Sequence, residues 1–345
     1  MPSGIIVHAA VFTAGAVLGG GIAAAISNKN RPVPPVPVPA ATAPSGPIIG
    51  VDTIGKAPAV PKDLSVTSVT QTLPLALKYG NPGPITDILI RKAYVSGYDR
   101  RLRHPAWTAE HLTRASLGKA IGEAAADRQN SKFVEDVSLP AVFRARLQDY
   151  FRSGYDRGHM VPAADAKSSQ EAMDETFLLS NIAPQVGDGF NRHYWAYLED
   201  WCRRLTGNFQ DVYIFTVPLY LPRKDSDGKW RVSYEVIGTP PNVSVPTHFA
   251  KVVLTSRPVS PSTPDVHEVS TGAFVLPNAI IPDEAPLESF VVPVEAVERA
   301  AGLTFFSEEV KASSKHICKT TKCDVIVRRF DDAQKNSRKA IAAPK

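Results

Sequence analysis

The chain has 345 residues and 37.3 kDa, enough for one large domain with appendages or for two domains. A hydrophobic content of 43% beside 21% charged residues supports a sizeable core and excludes disorder throughout, and three cysteines exclude a secreted disulfide framework. The net charge of +5 is uneven. Residues 311–345 hold ten basic and three acidic residues, and residues 91–119 hold seven and two. Basic clusters on a near-neutral body suggest local contacts with anions, not a wholly basic coat.

In chain order, residues 4–26 form an uncharged run of 23 residues, GIIVHAAVFTAGAVLGGGIAAAI, long enough to cross a bilayer as a helix. No Lys or Arg precedes it, so it resembles neither a standard signal peptide nor an Arg-rich transit peptide, and a membrane anchor is preferred over a cleaved targeting segment. RPVPPVPVPAATAPSGP then forms a stiff proline-rich spacer, because proline fixes φ and removes backbone donors. The organisation read from these shifts is a membrane or targeting segment over 1–30, a linker over 31–62, a folded domain over 63–330 and a basic tail over 331–345.

The densest patterning lies between residues 150 and 220. Residues 153–160 read as a short strand ending in a loop, and FLLSNI (177–182) as a second strand. NRHYWAYLEDWCRRL (191–205) reads as a helix, with apolar residues at three- and four-residue spacings and Gly207 just past its end. VYIFTVPLY (212–220) reads as a buried strand, and CDVIVRRF (323–330) as a further strand. The order of strand, loop, strand, helix, strand predicts an α+β fold.

Two groups of residues in this stretch could carry chemistry. Asp156, Arg157, Gly158 and His159 place an acid, a fixed cation, a flexible joint and an imidazole within four residues. Neutral imidazole is the usual base for activating water near pH 7. Asn191, Glu199 and Arg203 fall within 120° of one another on a helix of 3.6 residues per turn. They offer a neutral oxygen ligand, a carboxylate and a cation on one face. The bland alternatives are a helix cap for Asn191 and an i,i+4 pair for Glu199 and Arg203. A hard cation such as Mg²⁺ takes oxygen ligands and keeps several waters, so one Asn with a nearby carboxylate suffices for partial capture.

YDRGHMVPAADAK, FLLSNIAPQ, FNRHYWAYLEDWCRRL and VPLYLPRKD resemble the DNA/RNA non-specific endonucleases of the ββα-metal (His-Me finger) class, in particular the fungal branch of the mitochondrial endonuclease G family. The similarity runs from about residue 73 to residue 330. It implies a ββα-metal nuclease fold, with a central, mostly antiparallel sheet flanked by helices. His159 would be the general base, Asn191 the single direct protein ligand of Mg²⁺ or Mn²⁺, and Glu199 a holder of metal-bound water. Arg157, Arg203 and Arg128 would contact the scissile phosphate, while Asp156 and Asn181 would position the site. The implied reaction is hydrolysis of DNA and RNA to 5′-phosphate and 3′-hydroxyl ends. The implied setting is a homodimer in the mitochondrion, at the inner membrane through the N-terminal segment or free in the intermembrane space. Roles in DNA degradation, RNA turnover and programmed cell death after release follow from the same resemblance.

One residue departs from the family pattern. Val217 stands where glycine is usual, and a side chain there is expected to strain packing. Other features have two readings. The cluster Arg91, Lys92, Arg100, Arg101 and Arg103 is either a solvated face or a phosphate-contacting patch. Trp107, Trp195 and Trp201 read as core residues and Cys202 as a small buried hydrophobe. Cys318 and Cys323 could pair. A nucleic-acid-binding relative without activity and a membrane-tethered structural protein are the competing functional classes; both leave His159, Asn191 and Glu199 unexplained.

Overall fold

A computed structural model describes residues 86–118 and 120–327. The apolar N-terminal run, the proline-rich spacer, the start of the folded region near residue 63 and the basic tail lie outside the described residues, as does Lys119. Within the described residues no helix is long and apolar enough to cross a membrane.

The architecture is α+β, built on an eight-stranded sheet that is antiparallel except for one pairing. Strands β1 (Thr86–Ile90), β2 (Tyr94–Asp99) and β3 (His104–Leu112) run as a meander from one edge. A small separate pair follows, β4 (Asp156–His159) and β5 (Ile182–Gln185). Strand β6 (Asp211–Leu219) then pairs with β3 inside the large sheet. Two accessory hairpins, β7/β8 (Arg223–Lys224 and Trp230–Arg231) and β9/β10 (Val236–Ile237 and Val243–Ser244), precede the long central strands β11 (His248–Ser260) and β12 (Thr263–Pro277). The short strand β13 (Val291–Val292) pairs with β12 antiparallel, and β14 (Lys315–His316) pairs with it in parallel.

Side-chain alternation along these strands gives the sheet two apolar faces. On one face Val212, Ile214, Phe249, Val253, Phe274 and Leu276 pack under helix α3 (Trp195–Leu205), which inserts Trp195, Leu198, Trp201, Cys202 and Leu205. On the other face Val217, Leu219, Ala250, Val252 and Ala273 pack against Val294 and Val297 of α4 (Val294–Ala301) and against Phe306. The sheet is therefore the middle of three layers, and α3 has a rigid platform beneath it. Four shorter helical turns complete the described chain: α1 (Leu147–Tyr150), α2 (Gln170–Glu175), α5 (Glu308–Ser313) and α6 (Ile317–Thr320).

Several local expectations need correction. The second strand of the small pair begins at Ile182, after a single 3₁₀ turn over Leu179–Asn181; that turn lets Asn181 aim its side chain back at the preceding loop. The helix expected from residue 191 is regular α only from Trp195. Gly187–Tyr194 form wide turns broken by Asp188 and by Gly189 at φ +75°. A Cβ on Gly189 would also stand 2.6 Å from Ile280, so glycine is required there on both counts. Residues 323–327 form no strand: the Cys318–Cys323 disulfide and the Trp201 indole N–H, which donates to the Lys322 carbonyl at 3.0 Å, hold them against α3. Val217 lies in the α4-side core. It is fully buried, points to the α4 face and stands opposite Ala250, whose small side chain leaves room. Trp195, Trp201 and Cys202 are buried as read from the sequence, and Trp107 packs partly buried on the α4-side core.

Candidate active site

Strands β4 and β5, the wide turns and α3 form a strand–strand–helix unit whose residues surround a cavity of about 490 Å³. Arg157 and His159 come from β4, Asn191 from the wide turns, and Glu199 and Arg203 from α3; Arg128 reaches the same cavity from a 3₁₀ turn. Six of the eight residues singled out in the sequence thus line one space. The other two support its walls. Asn181 is fully buried, and its amide donates to the carbonyls of Val161 (3.0 Å) and Thr176 (2.9 Å) while accepting from the Val161 N–H (3.1 Å). With the Met160 N–H donating to the Asn181 carbonyl at 2.9 Å, these bonds fix the chain just after His159.

Asp156 does the corresponding work for Asn191. Its carboxylate accepts from Asn191 Nδ2 at 2.8 Å and from the Arg192 guanidinium in a two-pronged contact. Because a carboxylate only accepts, this contact fixes the amide: nitrogen faces Asp156, and Oδ1 is left for the cavity. Asn191 is therefore not a helix cap. Partial burial works against ionisation of Asp156, yet the hydrogen bonds from Arg192 and Asn191 prevail and hold it below the usual carboxylate range.

His159 is enclosed by Phe177, edge-on at 4.7 Å between ring centroids, and by Phe133 at 5.3 Å. Its Nε2 is buried without a hydrogen-bond partner among the described residues, so the ring addresses the cavity through Nδ1. Burial, reinforced by the charge of Arg128, pushes the imidazole pKa down to about 3, which keeps its lone pair unprotonated while lowering its basicity. Gly158 serves this arrangement by close approach and not by turning the chain: a Cβ there would lie 2.2 Å from the Gln185 side chain across the strand pair.

Glu199 makes no hydrogen bond or ion pair among the described residues. Burial pushes its carboxyl up to about 7, against the opposing pull of Lys251 and Arg203. The expected i,i+4 pair with Arg203 does not form. Arg203 instead donates to Asp165 at 2.8 Å, a carboxylate almost fully enclosed. Asp165 lies within the motif YDRGHMVPAADAK, but neither spacing nor periodicity marks it as the partner of a residue 38 positions later. The aromatic enclosure of His159 is likewise unmarked in the sequence, because Phe133 and Phe177 read locally as ordinary apolar positions.

The cations divide by their partners. In the basic stretch near the sheet edge, Arg91 pairs with Asp136, Lys92 with Glu171, Arg100 with Asp87 and Arg101 with Asp99, while Arg103 binds Asn242 and the Val142 carbonyl. That stretch is largely neutralised. Arg128 and Arg157 have no carboxylate partner among the described residues; they lie over Phe177 (5.4 Å) and Phe133 (4.4 Å). Guanidinium without a carboxylate partner is thus present at the cavity, where it would attract an anion such as a phosphodiester.

The donor set also suits a hydrated divalent cation. Among the described residues no three His, Cys, Asp or Glu side chains come together as a metal cage. The cavity instead offers one oriented amide oxygen and a carboxylate free of protein partners, the pattern expected where water supplies most of the ligands.

The profile of the DNA/RNA non-specific endonuclease family matches residues 75–312. "Nuclease 1, mitochondrial" of Schizosaccharomyces pombe is 52% identical over 262 residues, covering 76% of this chain and 79% of that protein. "Mitochondrial nuclease" of Saccharomyces cerevisiae is 49% identical over 272 residues, covering 78% and 81%. "Endonuclease G, mitochondrial" of Homo sapiens is 43% identical over 228 residues, covering 66% and 72%. Among solved structures, the EndoG/EndoGI complex contains a chain 46% identical with a TM-score of 0.60, matching 68% of this chain and 92% of that one. This chain belongs to the DNA/RNA non-specific endonuclease family.

Proposed function

We propose that the protein is a metal-dependent, sugar-non-specific endonuclease that hydrolyses DNA and RNA to 5′-phosphate and 3′-hydroxyl ends. The observation that carries the reading is the cavity shared by neutral His159, the oriented amide of Asn191 and three arginines. Arg128, Arg157 and Arg203 hold the scissile phosphate and stabilise the charge that develops on it. His159 accepts a proton from the attacking water through Nδ1. Burial is the larger cause of the depressed imidazole; bound phosphate would offset the smaller contribution of the Arg128 charge and so raise its basicity in part. Asn191 would hold Mg²⁺ or Mn²⁺ through Oδ1, and Glu199 would hold water of its shell; the ion's charge would favour ionised Glu199. When bound, the ion supplies Lewis-acid stabilisation at the phosphoryl group and the leaving oxygen, so no second titrating acid is needed. Asp156 and Asn181 are positioning residues.

The relatives' names support a mitochondrial location. Attachment to the inner membrane through residues 1–30, a linker over 31–62, a catalytic domain over 63–330, a homodimeric state and roles in DNA degradation and programmed cell death belong to the same proposal, on the family resemblance. The test compares wild type with His159→Ala on plasmid DNA and single-stranded RNA, with Mg²⁺ or chelator. Cleavage of both substrates by metal-loaded wild type alone supports the reading. Cleavage by His159→Ala at the wild-type rate removes His159 as the base, and inactivity of folded wild type favours the binding-only class.

A further inference from the structure

A second concave surface adjoins the candidate active site. A groove of about 280 Å³ is lined by Leu147, Phe151, Arg152, Tyr155 and Arg157, among others, and Arg157 also lines the main cavity. The two spaces therefore share one lining residue, Arg157. Phe151, at the end of α1, is 69% exposed. Arg152 follows it at φ 54°, a left-handed conformation unusual for a residue with a side chain, and its guanidinium lies 5.1 Å from the centre of the Phe151 ring.

The turn is built, not slack. The Ser153 N–H donates to the Tyr150 carbonyl at 3.3 Å and its hydroxyl to the same oxygen at 3.0 Å, while Tyr150 and Tyr155 anchor in the core beside it. Arg152 has no carboxylate partner among the described residues, and the one acid of the groove, Asp156, is engaged by Arg192 and Asn191. The groove thus combines a largely exposed aromatic ring, with Arg152 over one face and the other left for a ligand, and two guanidinium groups that have no carboxylate partner among the described residues. That combination fits a nucleic-acid strand, whose bases stack on aromatic rings while its phosphates meet arginines. A peptide or lipid partner would not explain a cationic lining residue shared with the candidate active-site cavity.

We propose that this groove is a nucleotide subsite: Phe151 stacks on an unpaired base next to the scissile phosphate, and Arg152 contacts the adjoining phosphate. The proposal rests on the nuclease reading and adds a substrate preference, because stacking needs a base free of its own neighbours and so favours single-stranded segments. Phe151 supplies binding energy equally to bound substrate and transition state, and its loss falls on KM and not on kcat.

The experiment uses the full chain with a fluorescent single-stranded 12-mer, the matching duplex, and 12-mers carrying one abasic position. Kd is read by anisotropy with chelator present, independent of turnover; KM and kcat are read with Mg²⁺. Phe151→Ala is expected to raise Kd and KM for the single strand about 5- to 150-fold, the range of one base–aromatic stack, with a smaller change on duplex and kcat within about two-fold. Phe151→Trp should restore binding. Arg152→Gly, compatible with the left-handed φ, should lower the salt dependence of Kd by about 0.7 in the logarithmic slope. One abasic position should abolish the difference between wild type and Phe151→Ala. Unchanged Kd in Phe151→Ala, or additive effects of Phe151→Ala and every abasic position, would overturn the subsite. Loss of Mg²⁺-dependent cleavage in wild type would instead overturn the nuclease reading, while the anisotropy comparison would still judge the subsite.

Discussion

The contact between Asp156 and Asn191 makes a prediction about metal affinity that separates positioning from chemistry. In Asp156→Asn the carboxylate that accepts the Asn191 amide at 2.8 Å becomes an amide that can present either end, so the Asn191 side chain is no longer forced to aim Oδ1 at the cavity. A hydrogen bond to a charged group contributes about 1.5–3 kcal/mol, and losing an orienting partner around a metal ligand costs about 10- to 100-fold in metal affinity. The half-saturating Mg²⁺ concentration for plasmid cleavage should therefore rise about 10- to 100-fold. The rate at saturating Mg²⁺ should fall far less, because the substitution removes no hydrogen bond of His159, Arg128, Arg157 or Arg203. The assay is a Mg²⁺ titration of initial cleavage rate, with a thermal melt to show that the variant is folded. The Arg192–Asp156 pair lost alongside is largely exposed on the arginine side and should move stability little. A variant with unchanged half-saturation and a proportionally lower maximal rate would refute the reasoning, since Asp156 would then act in the reaction and not on the ligand.

Two further outcomes follow from burial. Val217→Gly, which restores the residue usual in the family, should destabilise by about 2–4 kcal/mol, because it opens a space in the α4-side core and adds a flexible residue to a central strand. A thermal melt should show a fall of roughly 5–15 °C, and a rise would mean that Val217 is strained after all. Stability should also fall as pH drops from about 6.5 towards 4. His159 and His104 are held neutral, pushed down to about 3 and about 4 by burial, so in this window the unfolded chain binds more protons than the folded one. Each contributes a slope of up to about 1.4 kcal/mol per pH unit, and denaturant melts of His159→Asn should show a shallower decline. Glu199, pushed up to about 7, acts with the opposite sign between about 4.5 and 7, so Glu199→Gln should steepen it. An unaltered slope in His159→Asn would mean that the imidazole protonates without cost in the folded state.

What the sequence made legible was what short-range pattern encodes. Helix α3 could be read because six apolar residues at three- and four-residue spacings have to cover one sheet face, and β6 because a continuous apolar run has to be buried on both faces. The catalytic candidates were legible through dense motifs, and Asn191, Glu199 and Arg203 reach one cavity even though the wide turns at 187–194 break the 3.6-residue period used to place them. FLLSNI (177–182) has strand composition, but the tertiary bond from the Asn181 side chain to the Val161 carbonyl goes with a 3₁₀ turn over Leu179–Asn181. Partners were the least legible. Whether a cation is neutralised depends on carboxylates up to 79 residues away, as for Lys92 with Glu171, and no local signal distinguishes paired Arg91 from free Arg157.

That distinction between paired and free cations explains how a chain with a formal charge of only +5 can address a polyanion. A uniformly basic surface would bind phosphate everywhere and hold product as well as substrate. Here Arg91, Arg100 and Arg101 are tied to Asp136, Asp87 and Asp99, whereas Arg128 and Arg157 rest on phenylalanine rings that do not cancel their charge. The same two rings, Phe177 and Phe133, enclose His159. One aromatic pair therefore keeps the imidazole neutral and keeps the neighbouring guanidinium groups available. Replacing either ring by a carboxylate-bearing residue would disturb both at once: the imidazole would gain a partner and rise in pKa, and an arginine would be lost to an ion pair.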